Sequence, residues 1–311
     1  MSGLEKKLVV VGDFAWDVLI RTNQKLHAGG DTFGEVMLAP GGSAANVAVW
    51  ASRCGMPTAF IGKIGRDRFG ELAINDLLRE NVQFDPIQTD EHRTASVAVW
   101  IDHTGQRSMV SGQGADFYLL PSELPIDIVK DARHLHLTAW SFFTDPPRSA
   151  ARLAANIAKK NGVTLSLDPG SFQMIEEMGV DKFIQCTNDL GIDIFFPNFE
   201  EGKVLTGKSN EEEIAQTLAE IYPGAIIALK LDKDGAMINI NGKSTHIPPG
   251  TETIIDATGA GDAFAGAYLS QYLINKNHLK AARFSVKISS WVVNKIGARP
   301  SMDRQLLQLV Q

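Results

Sequence analysis

Cysteine is nearly missing: 311 residues hold two, Cys54 and Cys186, far apart and without a CxxC spacing. That argues against a disulfide-stapled secreted module or a thiolate metal knuckle, and the expectation is a reduced, cytoplasmic chain with free thiols. Long apolar runs are also missing. The opening MSGLEKKLVVVGD carries Lys6 and Lys7, but its apolar stretch is too short for a signal peptide or a membrane span. Positive charge is scarce, with 30 Lys and Arg against 36 Asp and Glu, a net charge of -6 and no basic cluster. Neither nucleic acid nor membrane is therefore expected as a partner. The seven histidines show no metal-ligand spacing, and His134 and His136 share one face of an expected strand. No internal repeat, low-complexity tract or dividing linker interrupts the chain, so 1–311 reads as a single domain. One further absence matters. After the buried-strand pattern Leu8 to Gly12, the stretch Gly12-Asp13-Phe14-Ala15-Trp16-Asp17 lacks GxGxxG, which disfavours a nicotinamide-dependent dehydrogenase.

What is present centres on Asp256-Ala257-Thr258-Gly259-Ala260-Gly261-Asp262, followed by Ala263-Phe264-Ala265-Gly266-Ala267-Tyr268-Leu269. This reads as a glycine-rich turn opening into a small-residue helix. Unpaired N–H groups and partial positive charge at a helix N-terminus suit a phosphate, and glycine lets the backbone approach it. A carboxylate at Asp262 would repel a phosphate that is merely bound. It suits a site where a hydroxyl attacking that phosphate must lose its proton. A plain helix start capped by acids fits the same letters.

Asp13 and Asp17 follow the carboxyl end of the first strand, where open α/β sheets bind ligands, and carboxylates suit polyol hydroxyls. A second glycine-rich turn, Pro40-Gly41-Gly42-Ser43-Ala44-Ala45-Asn46, leads into another small-residue helix with the Asn46 amide in its first turn. Four β-like runs read as a separate antiparallel element, a lid from about 14–40 and 93–115, with a turn at His103-Thr104-Gly105-Gln106. From Ala132 onward strands alternate with amphipathic helices, the pattern of a parallel sheet covered on both faces. These include one helix over Ile175 to Thr187 and one starting at Asn210-Glu211 with Ser209 as its cap. Asp232-Lys233-Asp234-Gly235 and Asn241-Gly242 read as hairpin turns at an antiparallel edge.

Gly202-Lys203-Val204-Leu205-Thr206-Gly207-Lys208-Ser209 matches GxxxxGK[ST] letter for letter. A phosphate loop needs a strand running straight into it, and Pro197-Asn198-Phe199-Glu200-Glu201 intervenes, so the match is set aside. Asn198 and Glu201 read equally as a capping box and as acid and amide ordering water around phosphate-bound Mg²⁺.

With both glycine-rich turns, N-x-x-E between them, Gly55, Gly65, and the closing Arg283-Phe284 and Gly297-Ala298-Arg299-Pro300-Ser301, the chain resembles the ribokinase-type (PfkB) carbohydrate kinase family along nearly its whole length. The resemblance implies a ribokinase-like α/β fold: a mostly parallel sheet flanked by helices on both faces, with a small antiparallel β-lid that often makes a homodimer. It implies transfer of a phosphoryl group from ATP to a sugar. Asp262 would be the general base, and the amides of Gly259, Ala260 and Gly261 the anion hole. Asp13, Asp17, Gly41, Gly42 and Asn46 would hold the sugar. Asn198, Lys230, Asp232, Gly235 and Gly261 would hold ATP, Glu201 and Asn198 Mg²⁺ through water, and Asp256, Thr258 and Gly297 a K⁺ ion. Trp16 and Trp140 are further candidates near the sugar, against a packing role.

Three departures bear on this. Ala257 replaces a usual Thr or Ser, Asp232 stands where the nucleotide loop usually has Gly, and Asp168-Pro169-Gly170-Ser171-Phe172 lacks the Arg that would pair with a sugar acid. A neutral pentose or hexose, ribose- or fructose-like, is the expected acceptor. A nucleoside kinase of the same fold and a catalytically silent sugar sensor are the alternatives.

Overall fold

Nine strands hydrogen-bond into one sheet in the computed structural model, which describes residues 6–22, 24–25, 27–101, 107–250 and 253–310. Across it the order is Lys243–Ile247, Ala236–Ile240, Ile226–Lys230, Ile194–Phe195, Thr164–Asp168, His134–Thr138, Leu8–Val11, Thr58–Ile61, Val82–Phe84. From Ile226–Lys230 to Val82–Phe84 every neighbouring pair is parallel. The other edge is antiparallel, closed by turns in which Asp232, Gly235, Asn241 and Gly242 all have positive φ.

The first strand shows why the sheet is buried on both faces. Its side chains alternate: Val9 and Val11 join Leu135, Leu137, Leu165 and Leu167 beneath the alanine face of helix Pro147–Lys160. Leu8 and Val10 pack on the opposite side with Phe60, Val47, Ala48, Phe264 and Tyr268. Each such fully buried aliphatic side chain contributes roughly 1.5–3 kcal/mol. His134 and His136 are buried in this sheet and bonded to Thr164 and Ser166, a core role.

Helices Ser43–Arg53 and Ala260–Asn275, which begin at the two glycine-rich turns, pack closely together. A Cβ on Gly266 would sit 2.6 Å from the Val47 carbonyl oxygen and 2.8 Å from Trp50 Cβ. That contact brings both helix starts to the same end of the sheet.

A second sheet has the order Gly34–Gly41, Ala15–Thr22, Ala95–Ile101, Arg107–Ser111. Its outer pairings are antiparallel and its central one parallel. Register sorts the side chains: Asp17, Ala39, Val97 and Ser111 lie across one face, and Val18, Leu38, Ala98 and Val110 across the other. The turn expected at His103–Gln106 lies outside the described residues.

Three details correct the sequence reading. The helix expected over Ile175 to Thr187 is two helices, Phe172–Met178 and Val180–Thr187, broken at Gly179 with φ 91°. Asn210, not Ser209, caps Glu211–Ile221, because its side chain reaches the amides of Glu212 and Glu213. Edge strand Val82–Phe84 and the small pair Lys63–Gly65 with Ile87–Thr89 are additions too short for a periodic signal. Among the described residues no helix is long and apolar enough to cross a membrane.

Candidate active site

Helix Ser43–Arg53 has no side-chain cap of its own, because Gly42 occupies the cap position at φ 83°. Asp13 caps it from another segment, its carboxylate accepting from Ser43 N at 2.7 Å, Ala44 N at 3.2 Å and Thr138 Oγ1 at 3.2 Å. A side chain at Gly42 would collide with the Asp13 carbonyl oxygen and Phe14 Cα, both at 2.7 Å from its Cβ. Gly41 likewise leaves room for Asp17, whose carboxylate oxygens lie 2.6 Å from where a Cβ would stand.

Asp13, Asp17, Gly42 and Ser43 line a cavity of about 190 Å³, closed from above by Ala95, Val97 and Ser111 of the small sheet. Burial pushes Asp17 up to about 6, against the opposing charge of Arg299. Burial also raises Asp13, offset by the amides it caps. Trp140 lines this cavity. Trp16 instead packs edge-on against Phe14, and its indole N–H donates to the Phe69 carbonyl.

A second cavity, of about 300 Å³, is lined by Asn198, Lys230, Asp232, Gly235, Ala260 and Gly261. Asn198 and Glu201 make the reciprocal capping box of helix Phe199–Thr206, with both bonds at 2.8 Å. That helix runs through the residues that matched the phosphate-loop expression and ends at left-handed Gly207, so no phosphate cradle exists there. Lys230 Nζ donates to Asp168 at 2.6 Å and lies 3.2 Å from where a Cβ on Gly261 would stand. Burial opposes the Lys230 charge, but Asp168 and Glu201 outweigh it and raise its pKa. Burial pushes Glu201 up to about 8, against the pull of Lys230.

Asp262 lies between the two cavities. Its carboxylate accepts from Ser43 Oγ and from Asn46 Nδ2, both at 2.7 Å. Burial pushes it up to about 7, with these two hydrogen bonds pulling the other way. Asn46 is thus directed at Asp262, and its side-chain oxygen accepts from Arg299 Nε at 2.6 Å; it does not line the first cavity. Gly259 takes φ 73° before helix Ala260–Asn275, with Ala298 so close that any Cβ would stand 2.5 Å from its own. The helix start has no side-chain cap, and Ala260 N–H turns back to the Ala257 carbonyl at 3.3 Å. Asp256, Thr258 and Gly297 converge: the Asp256 carboxylate accepts from Thr258 N and Oγ1 and from Gly297 N. No group of three or more His, Cys, Asp or Glu suited to a metal exists among the described residues.

Three participants carried no sequence signal strong enough to single them out. Asp168 was noted only for the Arg that does not follow it, Arg299 only as a letter of the closing motif, and Asp116, which lines the first cavity, not at all. Each acquires its role from a contact made across the fold.

A family model described as pfkB family carbohydrate kinase matches residues 5–305. Ribokinase from Haemophilus influenzae is 30% identical over 305 residues, covering 96% of each chain. Fructokinase from Escherichia coli is 29% identical over 274 residues, covering 86% of this chain and 84% of its own. A solved structure of Arabidopsis thaliana ribokinase complexed with ribose and ATP superposes with a TM-score of 0.81 at 27% identity, covering 99% of both chains.

Proposed function

This chain belongs to the pfkB family of carbohydrate kinases, sugar kinases of the ribokinase and fructokinase type, and from that premise we propose that it transfers the γ-phosphoryl of Mg-ATP to a hydroxyl of a neutral pentose or hexose. The observation that carries the reading is Asp262 between two cavities. It is hydrogen-bonded to Ser43 of the first and adjoins Gly261 of the second.

Asp13, Asp17 and Gly42 hold the sugar in the first cavity, with Gly41 and Asn46 supporting that wall. Asp262, ionised, takes the proton of the acceptor hydroxyl as its oxygen attacks the γ-phosphorus and ADP departs. A carboxylate near pH 7 is matched to that task, strong enough as a base and largely ionised. The amides of Gly259, Ala260 and Gly261, with the Lys230 ammonium against the same helix start, stabilise the charge developing on the transferred group. Lys230, Asp232, Gly235 and Asn198 hold the nucleotide in the second cavity. Mg²⁺ on the phosphates supplies further charge neutralisation. Asn198 and Glu201 would order its water, in keeping with the lack of a His, Cys, Asp or Glu metal cluster among the described residues. K⁺ is assigned to the loop of Asp256, Thr258 and Gly297, beside the anion hole.

The small sheet acts as the lid, its Asp17 face over the sugar and its other face apolar. Val36 is 68% and Val110 72% exposed, a surface suited to a homodimer through the lids. A reduced, cytoplasmic setting agrees with two free thiols, one of them buried. The test is sugar-dependent ADP release from Mg-ATP across pentoses, hexoses, sugar acids and nucleosides. Turnover of one neutral sugar supports the reading. Turnover confined to nucleosides moves the acceptor, and sugar binding without turnover leaves a sensor.

A further inference from the structure

Two residues that line the sugar-side cavity each keep a buried polar atom without a hydrogen-bond partner, Asp116 Oδ1 and Thr144 Oγ1. Native proteins rarely leave such atoms unpaired, because each carries the full cost of lost hydration; a bound group or water is the usual explanation. Here the two residues come from separate segments and line one cavity. Asp116 sits in the short turn Ala115–Tyr118, held by the bond from Ala115 N to the Arg93 carbonyl at 2.8 Å. Gly114 presses that turn against the small sheet so closely that a Cβ on it would stand 2.4 Å from the Ala95 backbone.

The charge of the cavity is one-sided. Asp13, Asp17 and Asp116 line it, with no Lys, Arg or His among its described lining residues. A sugar carboxylate or phosphate entering it would meet like charge and no partner. Burial and the charge of Asp13 push Asp116 up to about 8, so at neutral pH its carboxyl can both donate and accept. The Thr144 hydroxyl has the same dual capacity.

We propose that Asp116 and Thr144 form a specificity subsite that binds hydroxyls of the acceptor other than the one phosphorylated, and that the cavity thereby selects uncharged polyols. This rests on the sugar-kinase reading above. Neither residue contacts Asp262 through any hydrogen bond of the structure. The pair therefore governs which sugar binds and leaves the chemical step to Asp262.

The experiment compares full-length wild type with Asp116→Asn, Asp116→Ala and Thr144→Val, by kcat and KM over neutral sugars and gluconate, and by calorimetric binding of the same sugars without nucleotide. Asp116→Ala and Thr144→Val are expected to raise KM for the preferred sugar at least tenfold. The expected changes in kcat stay within threefold and in the KM for ATP within twofold. Asp116→Asn, the near-isosteric variant, should fold as wild type and narrow the preference for that sugar over gluconate. Unchanged sugar KM in Asp116→Ala and Thr144→Val overturns the proposal, as do parallel losses in kcat and both KM values. If wild type turns over no sugar, the kinase reading fails separately. The subsite then stands on a tenfold loss of sugar affinity in Asp116→Ala, and falls if affinity is unchanged or wild type binds no neutral sugar.

Discussion

Arg299 holds Asn46 by its side-chain oxygen, Nε to Oδ1 at 2.6 Å, and so obliges Asn46 to present its amide hydrogens to Asp262. Arginine is a donor only, so the side-chain oxygen of Asn46 must face it and the NH₂ must turn away. The same guanidinium donates to Asp76 and to the Gly41 carbonyl. One buried cation thereby orients the amide beside Asp262 and secures the turn next to Asp17.

Replacing Arg299 by Lys should show how much that orientation matters. A lysine keeps the charge, but its three donors radiate from one nitrogen and cannot span the acceptors that Nε, Nη1 and Nη2 of the planar guanidinium reach. The expected result is a kcat reduced about tenfold or more, with sugar KM less affected, and a fold destabilised by roughly 2–4 kcal/mol as Asp76 and Gly41 lose their fixed partner. Steady-state kinetics and denaturant melts check both. An unchanged kcat would remove Arg299 from the positioning of the base.

The base should be visible in the pH profile. Asp262 is pushed up to about 7, so kcat/KM is expected to fall about tenfold per unit on the acid side of that value. Asp17, pushed up to about 6, steepens the limb further down. A rate that stays flat from pH 8 to pH 5 would be incompatible with Asp262 as the base.

Asp262→Asn should trade activity for stability. The turnover loss is expected to be ~10²–10⁴-fold. For the fold, the native pKa of Asp262 is raised above its unfolded value of 3.8, so the native state holds the proton more tightly. Its contribution to stability is whole below about pH 4 and is lost as pH rises through about 7. The Asn variant lacks this loss. It should therefore exceed wild type by on the order of 1–4 kcal/mol at pH 8, and by almost nothing at pH 4. Paired melts at the two pH values read the difference.

On the proposed function, Lys230→Met is expected to raise KM for ATP and to lower kcat by ~10²-fold, because the variant removes the cation beside the Gly261 helix start in the second cavity. Glu201, pushed up to about 8 by burial, loses the opposing charge of Lys230 in the same step, and the Asp168 ion pair is broken. Kinetics against ATP, with sugar held saturating, isolates the effect. A change in sugar KM alone would contradict it.

On the outer face of the small sheet, Val36→Glu with Val110→Glu should convert a dimer to monomers in light scattering, at little cost to monomer stability, since both side chains are exposed. A wild type that runs as a monomer would dismiss the lid-to-lid assembly.

How far the sequence spoke depends on whether a residue acts through its neighbours in the chain. The two glycine-rich turns, the capping box of Asn198 and Glu201 and the alternating strands and helices follow from local chemistry, and were legible. So was the four-stranded sheet, although its central parallel pairing was not, since that depends on where the chain goes between Thr22 and Ala95. Asn46 was read as a sugar ligand from its residue type and its place in the resemblance; that its amide faces Asp262, fixed by Arg299 distant in the chain, was out of reach. The bond between Lys230 and Asp168 and the inward turn of Asp116 were equally out of reach, since a lone Asp looks the same in a turn, an ion pair or a binding cavity.

The missing side chain of Gly266 sets a dimension of the molecule. Helix Ser43–Arg53 carries the wall of one cavity and helix Ala260–Asn275 the wall of the other, and the two touch at Gly266 with no atom to spare. The distance between the two cavity walls is therefore an interhelical spacing, gauged one turn below Asp262 by backbone against backbone. A single methyl there would act as a shim between the helices, carrying the two cavity walls apart without changing any residue that lines them.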